Sequence, residues 1–278
     1  MANNFTVKFW GVRGTVPVPG KNTIKYGGNT SCVELMCNKR QIIFDAGTGI
    51  VPLGNQTDNY HTDILMSHTH LDHISGFPFF KPLHTPNSMV SIWAGHLKPE
   101  NTVKKAMGHL MMSPVFPLAL QDVQSRVLFN DFMAGEMLLN KGFQKDGITI
   151  DTLPLNHPDR ATAYRVEFNN KSVCYVTDVE HEIDSIDHSL VKFIEDADVF
   201  IYDSTYDDNN FDKYKGWGHS TWQQGARLAD AAHVKNFIAF HHDPNATDED
   251  LDKRAEQLKD YRKNGKSTMA AEGLTLEL

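Results

Sequence analysis

The chain has 278 residues, 40% hydrophobic and 22% charged, a balance that supplies a sizeable core and excludes a disordered or collagen-like polymer. Lys and Arg number 27 against 35 Asp and Glu, a net charge of −8 with His neutral. That charge disfavours non-specific binding of long nucleic acids and anionic membranes, but not of a small anion held at a local positive site. In chain order, Phe5–Gly11 alternates and predicts a strand, followed by a Gly/Pro-rich loop from Arg13 to Gly28. Ser31–Cys37 and Gln41–Asp45 read as a hairpin around Asn38-Lys39, and Thr62–Ser67 and Val90–Ala94 as short apolar strands. Residues 96–126 have helical stretches broken by Pro114 and Pro117. Met107, Met111, Met112, Phe116 and Leu118 suit this region either to core packing or to a wall over a substrate site.

Beyond that region, Ile148–Leu155, Thr162–Phe168, Lys171–Thr177 and Val199–Tyr202 read as strands. A helix over Ser220–Ala232 is capped by Ser220 or Thr221, Asn236–Phe240 is a strand, and Thr247…Asp250 opens a helix that runs to Arg262. Leu274–Leu278 closes with a strand-like alternation. Strand clusters and helices occur in both halves, without repeats or an obvious linker. The expectation is one domain over 1–278, two packed sheets with helices outside in a four-layer αββα arrangement.

Three cysteines, Cys32, Cys37 and Cys174, are too few for a disulfide framework. Cys32 and Cys37 fall on opposite faces of one strand and cannot pair there. The start lacks the basic and apolar regions of a signal peptide, and no apolar run reaches the ~20 residues of a membrane span. A reduced, cytoplasmic protein is expected, with no membrane partner.

The strongest chemical signal is Ser67-His-Thr-His-Leu-Asp-His73, directly after an apolar strand. Imidazole and carboxylate suit zinc, manganese or iron. A turn there can direct His68 and His70 at one metal, and Asp72 and His73 at a second. Independently, several apolar strands run into a possible ligand: Asn156-His157, Asp178, Asp203 and His241. Donors at the carboxyl ends of neighbouring strands converge on one rim of a layered α/β structure.

This set resembles the metallo-β-lactamase superfamily of metallohydrolases over nearly the whole chain. The nearest likeness is to the phosphodiesterase branch, which includes tRNase Z, class II cyclic-nucleotide phosphodiesterases and phage anti-Pycsar phosphodiesterases. His68-Thr-His-Leu-Asp-His-Ile-Ser-Gly76 is similar to the class II signature, and Gly218-His-Ser-Thr221 to a tRNase Z motif. Phe9-Trp-Gly-Val-Arg-Gly-Thr-Val-Pro-Val-Pro-Gly20 with Tyr26-Gly-Gly-Asn-Thr-Ser31 looks like the opening of bacterial and phage members.

The resemblance implies two divalent ions, zinc ahead of manganese or iron. His68, His70 and His157 would hold one, Asp72, His73 and His241 the other, and Asp178 would bridge them. His241 is favoured over the adjacent His242 because it directly follows the apolar run. The metals would activate a water to attack phosphorus. His219 would protonate the leaving sugar oxygen, so that His219, Asp72 and Asp203 carry the catalytic step. Asp203, a shorter acid than the Glu that tRNase Z commonly carries there, would support His219. Asp45 is either another supporting acid or a plain turn residue. Arg13, Arg160 and Lys215 read as solvated surface cations rather than phosphate contacts.

The expected substrate is a small nucleotide phosphodiester, foremost a 3′,5′-cyclic one. Long nucleic acid is disfavoured because no arm or basic stripe is visible and His157 and Asp178 are only 21 positions apart. A tRNase Z-like endonuclease and a carbonyl hydrolase (lactonase or thioesterase) are the alternatives, and the branch implies a homodimer.

Overall fold

Phe5, Val7 and Phe9 are buried while Thr6 and Lys8 are half-buried, so one face of the first strand is committed to a core. The computed structural model describes residues 4–59, 61–138, 142–182 and 185–278. Seven strands form the first sheet: β1 (Phe5–Gly11), β2 (Cys32–Cys37), β3 (Arg40–Phe44), β4 (His61–Met66), β5 (Met89–Ala94), β6 (Arg126–Asp131) and β13 (Thr275–Glu277), in the order β13-β1-β2-β3-β4-β5-β6. Six form the second: β7 (Thr149–Leu155), β8 (Ala161–Phe168), β9 (Lys171–Val176), β10 (Val199–Asp203), β11 (Asn236–Phe240) and β12 (Lys266–Met269), in the order β12-β11-β10-β9-β8-β7. Strands β3 to β6 run parallel, as do β9 to β12. The β2–β3 hairpin turns at Asn38, whose φ of 53° suits Asn.

The parallel strands are apolar on both faces, as burial between two layers requires. In β10, Val199 and Ile201 face the first sheet, where they share a core with Phe9, Phe44 and Tyr164. Phe200 and Tyr202 face outward, into a core covered by α4 (His188–Phe193), α5 (Trp222–Ala231) and α6 (Asp248–Tyr261). The outer face of the first sheet packs under α1 (Ile50–Gln56), α2 (Leu71–Ile74) and α3 (Val103–Leu110). The result is the expected αββα sandwich. Among the described residues, no helix is long and apolar enough to cross a membrane.

Local chemistry fixes the helix ends. Thr247 and Asp250 form a reciprocal capping box on α6, and Thr221, not Ser220, caps α5 by accepting from the Gln224 N–H. Gly225 lets α5 approach the sheet, because a Cβ there would lie 2.5 Å from the Phe237 ring.

One expectation, that for Arg13, needs correction. In residues 96–126 the helical stretches are α3 and a short 3-10 turn at Leu120–Asp122, on either side of Pro114 and Pro117, and the segment ends by opening strand β6. Val103, Met107 and Met111 join the outer core, while Met112 and Val115 are exposed. Arg13 is not a solvated cation: it is fully buried, and its guanidinium donates to the carbonyls of Gly27, Asp243 and Ala246. Burial lowers its pKa, against the opposing pull of Asp248 and Glu272. Arg13 therefore ties the Gly/Pro-rich loop to the segment after β11. Arg160 and Lys215 do pair at the surface, with Glu100 and Glu182.

Candidate active site

β4 lies inside the first sheet and delivers Ser67-His-Thr-His into a turn that becomes α2. Its last residues are buried, so the polar groups that follow must find partners or metal. His68 and His73 are buried and Asp72 is 8% exposed, whereas the His70 side chain reaches solvent. Asp72 Oδ2 accepts the Thr15 backbone N–H at 2.7 Å and lies 3.3 and 3.4 Å from the Nε2 atoms of His73 and His241.

The second sheet supplies the remaining groups from the carboxyl ends of β7, β9, β10 and β11. His157 Nδ1 donates to the Gly218 carbonyl at 2.7 Å, which fixes the tautomer and turns the Nε2 lone pair toward His70 and Asp178. Gly218 is required there: its φ is 84°, and a Cβ would lie 2.3 Å from His157 Nδ1. His241 Nδ1 meets Thr205 Oγ1 at 3.0 Å, leaving Nε2 to face the cluster. His242 turns away and donates from Nε2 to the Ala270 carbonyl.

Asp178 joins the two groups. Its Oδ1 lies 3.8 and 3.9 Å from the Nε2 atoms of His68 and His157. Its Oδ2 lies 3.3 and 3.4 Å from those of His73 and His241. Burial opposes its charge, but the surrounding imidazoles, His241 and His73 foremost, hold the carboxyl well below its usual pKa. Burial likewise depresses the pKa of His68 and of His157. Asp45, Asp178 and His241 all have φ near 60°, a conformation non-glycine residues adopt sparingly and that clusters at functional sites.

These residues fit a pair of divalent cations. The Nε2 atoms of His68, His73 and His241 are buried and make no hydrogen bond, an expensive state unless a ligand occupies the space they share. Donor atoms of His68, His70 and His157 lie within 4.8 Å of one another, as do those of Asp72, His73 and His241, and those of His68, His73 and Asp178.

His219 stands beside this cluster, its ring stacked on His241 at 5.0 Å. Its Nδ1 donates to Asp203 Oδ2 at 2.9 Å, so the shorter acid does reach. Burial disfavours the His219 cation, but Asp203, Asp178 and Asp72 outweigh it and push the pKa up to about 9. Asp203 is itself oriented by Thr205, whose N–H and Oγ1 both donate to Oδ1.

The structure thus brings His68, His70, Asp72, His73, His157, Asp178, His219 and His241 into one place, with Asp203 behind His219. Asp45 also belongs to the site, since its Oδ2 accepts from His73 Nδ1 at 2.7 Å and from the Tyr175 hydroxyl at 2.8 Å. Sequence reasoning misses Thr15, Tyr175 and Thr205. Thr15 and Tyr175 reach the site across 57 and 130 positions of chain, and Thr205, although two positions from Asp203, meets His241 across 36; only the apolar strands that carry Tyr175 and precede Thr205 hint at proximity.

The layered fold and the convergent donor set define a metal-dependent hydrolase. The chain belongs to the beta-lactamase superfamily, whose domain model matches residues 40–242. A curated relative, Ribonuclease Z of Picrophilus torridus, is 24% identical over 90% of each chain. Among solved structures, the metallo-beta-lactamase fold protein YhfI from Bacillus subtilis superposes with a TM-score of 0.70 at 18% identity, over 99% of this chain and 100% of that one. A diphosphatase from the PhnP family gives 0.69 at 17% identity, over 99% and 97%. At these identities the two structures establish the fold.

Proposed function

We propose that the protein hydrolyses a small nucleotide phosphodiester, foremost a 3′,5′-cyclic nucleotide, with His219 as the general acid. His68, His70 and His157 would hold one divalent cation and Asp72, His73 and His241 a second, with Asp178 shared between them and zinc preferred over manganese or iron. When bound, the cations supply a water-derived nucleophile at neutral pH and neutralise phosphate charge.

The observation that carries this reading is the His219–Asp203 pair at 2.9 Å, with the Asp178 carboxylate 3.6 Å from the same nitrogen. An alkoxide leaving group needs a proton, and positioned acids contribute roughly 10²- to 10⁴-fold. Asp203 takes up Nδ1–H, so Nε2 is the atom from which His219 gives its proton. Burial opposes the Asp203 charge, but His219 holds its pKa below the usual carboxylate value, while Thr205 aims it and Thr15 holds Asp72 in place. A small substrate suits the net charge of −8. It also suits the short path from His157 to Asp178, which the β8–β9 hairpin consumes.

A second reading, RNA endonuclease action, is favoured by the match to a relative named Ribonuclease Z over 90% of both chains. The test is a turnover panel with metal-reconstituted protein: 3′,5′-cyclic mononucleotides, cyclic dinucleotides and a tRNA precursor. Preferential opening of a cyclic mononucleotide supports the first reading, and efficient precursor cleavage replaces it with the second.

A further inference from the structure

We propose that Trp217 is a stacking surface for a nucleobase of the substrate, an inference that rests on the phosphodiesterase reading above. The chain has four tryptophans, and three are core residues, with Trp10, Trp93 and Trp222 at 8%, 4% and 4% exposure. Trp217 is 62% exposed, two positions before His219. Its ring meets Tyr214 edge-to-face at 5.7 Å. Tyr214 stacks flat on Tyr206 at 4.1 Å, and Tyr206 meets His219 edge-on at 6.0 Å. An aromatic column therefore leads from the surface to the proposed acid.

The turn that presents Trp217 is held on several sides. The Trp217 N–H donates to the Tyr214 carbonyl at 3.0 Å. Glu180 accepts the backbone N–H groups of Gly216 and Gly218, each at 2.8 Å. Glu180 is in turn bound to Asn156 through its backbone N–H and carbonyl, and the Gly218 carbonyl receives His157 Nδ1–H. The backbone carrying Trp217 is thus tied to a proposed metal ligand. With Trp217 62% exposed, much of its ring remains open to solvent beside Tyr214. A large aromatic held in place before binding loses little freedom when a flat partner arrives. Every base has a π-face, and stacking on an aromatic side chain is tolerant of base identity.

The experiment compares binding of AMP, UMP and ribose 5-phosphate to the metal-reconstituted full chain, by calorimetry, in wild type, Trp217→Ala and Trp217→Phe. Expected is a wild-type preference of about tenfold for the nucleotides over ribose 5-phosphate. Trp217→Ala should reduce it to about twofold or less without weakening ribose 5-phosphate, and Trp217→Phe should retain most of it. An undiminished preference in Trp217→Ala would overturn the proposal, as would equal weakening of all three ligands. Wild-type turnover of bis-p-nitrophenyl phosphate, measured alongside, reports separately on the phosphodiesterase reading.

Discussion

His73 Nδ1 lies 2.7 Å from Asp45 Oδ2, and both side chains are completely buried. Asp45 also accepts the Ser67 N–H and hydroxyl, each at 2.7 Å, and the Tyr175 hydroxyl at 2.8 Å. One carboxylate thus orients a proposed metal ligand and pins the strand end that carries the histidine turn to the second sheet. Asp45→Ala would strand several buried donors at once and should cost about 3–5 kcal/mol. Tyr175→Phe removes one partner of a satisfied group and should cost about 1 kcal/mol. Urea denaturation midpoints compare the two. Equal small losses would show that Asp45 is only a turn residue.

Asp178 faces both ligand groups, so Asp178→Ala should lower the content of both metals, read by elemental analysis of purified protein. Asp72→Ala should abolish phosphodiester hydrolysis, beyond the roughly 10- to 100-fold typical of supporting residues, with little change in Tm. Chelation should remove activity, and zinc, manganese or iron should restore it. A chelated protein of undiminished activity would contradict the metal assignment.

Burial and the Arg160 cation hold the pKa of His96 down to about 3, and burial with Arg227 brings His181 to about 4. Both are therefore neutral in the fold at pH 7. An unfolded histidine takes up its proton near pH 6.5. Below about 6.5 the unfolded chain binds more protons than the native one, so stability is full above that pH and falls as acid is added toward 4 and then 3. The slope should be about 1 kcal/mol per pH unit for each histidine. Urea midpoints at pH 7 and pH 5 measure it, and His96→Gln and His181→Gln should each flatten the difference. An unchanged slope in both variants would refute the account.

Much of the site is legible in the sequence because its donors follow apolar strands. His68 to His73 come as one motif after β4, Asp178 and His241 each end a run of buried residues, and His157 follows the alternating strand β7. The sandwich is legible for the same reason: β10 and β11 are continuous apolar runs between two layers. Elements at the margins are not. α1 draws no reading from sequence because it contains Pro52 and Gly54, poor helix formers, yet Gly54 is where Phe80 packs against the helix. β12 is an edge strand with one buried residue, and its Lys-Ser-Thr sequence carries no period. Arg13 defeats a reading from sequence because a lone cation after a strand resembles a surface residue, and only tertiary structure supplies the three carbonyls that receive it.

The most direct test of the central claim is the leaving-group dependence of His219→Ala. Wild type and variant, both metal-reconstituted, are compared on a 3′,5′-cyclic nucleotide, whose sugar oxygen needs a proton, and on bis-p-nitrophenyl phosphate, whose leaving group does not. The account predicts a loss of about 10²-fold or more on the cyclic nucleotide and a loss below about tenfold on the aryl ester. Equal losses on the two substrates would contradict it.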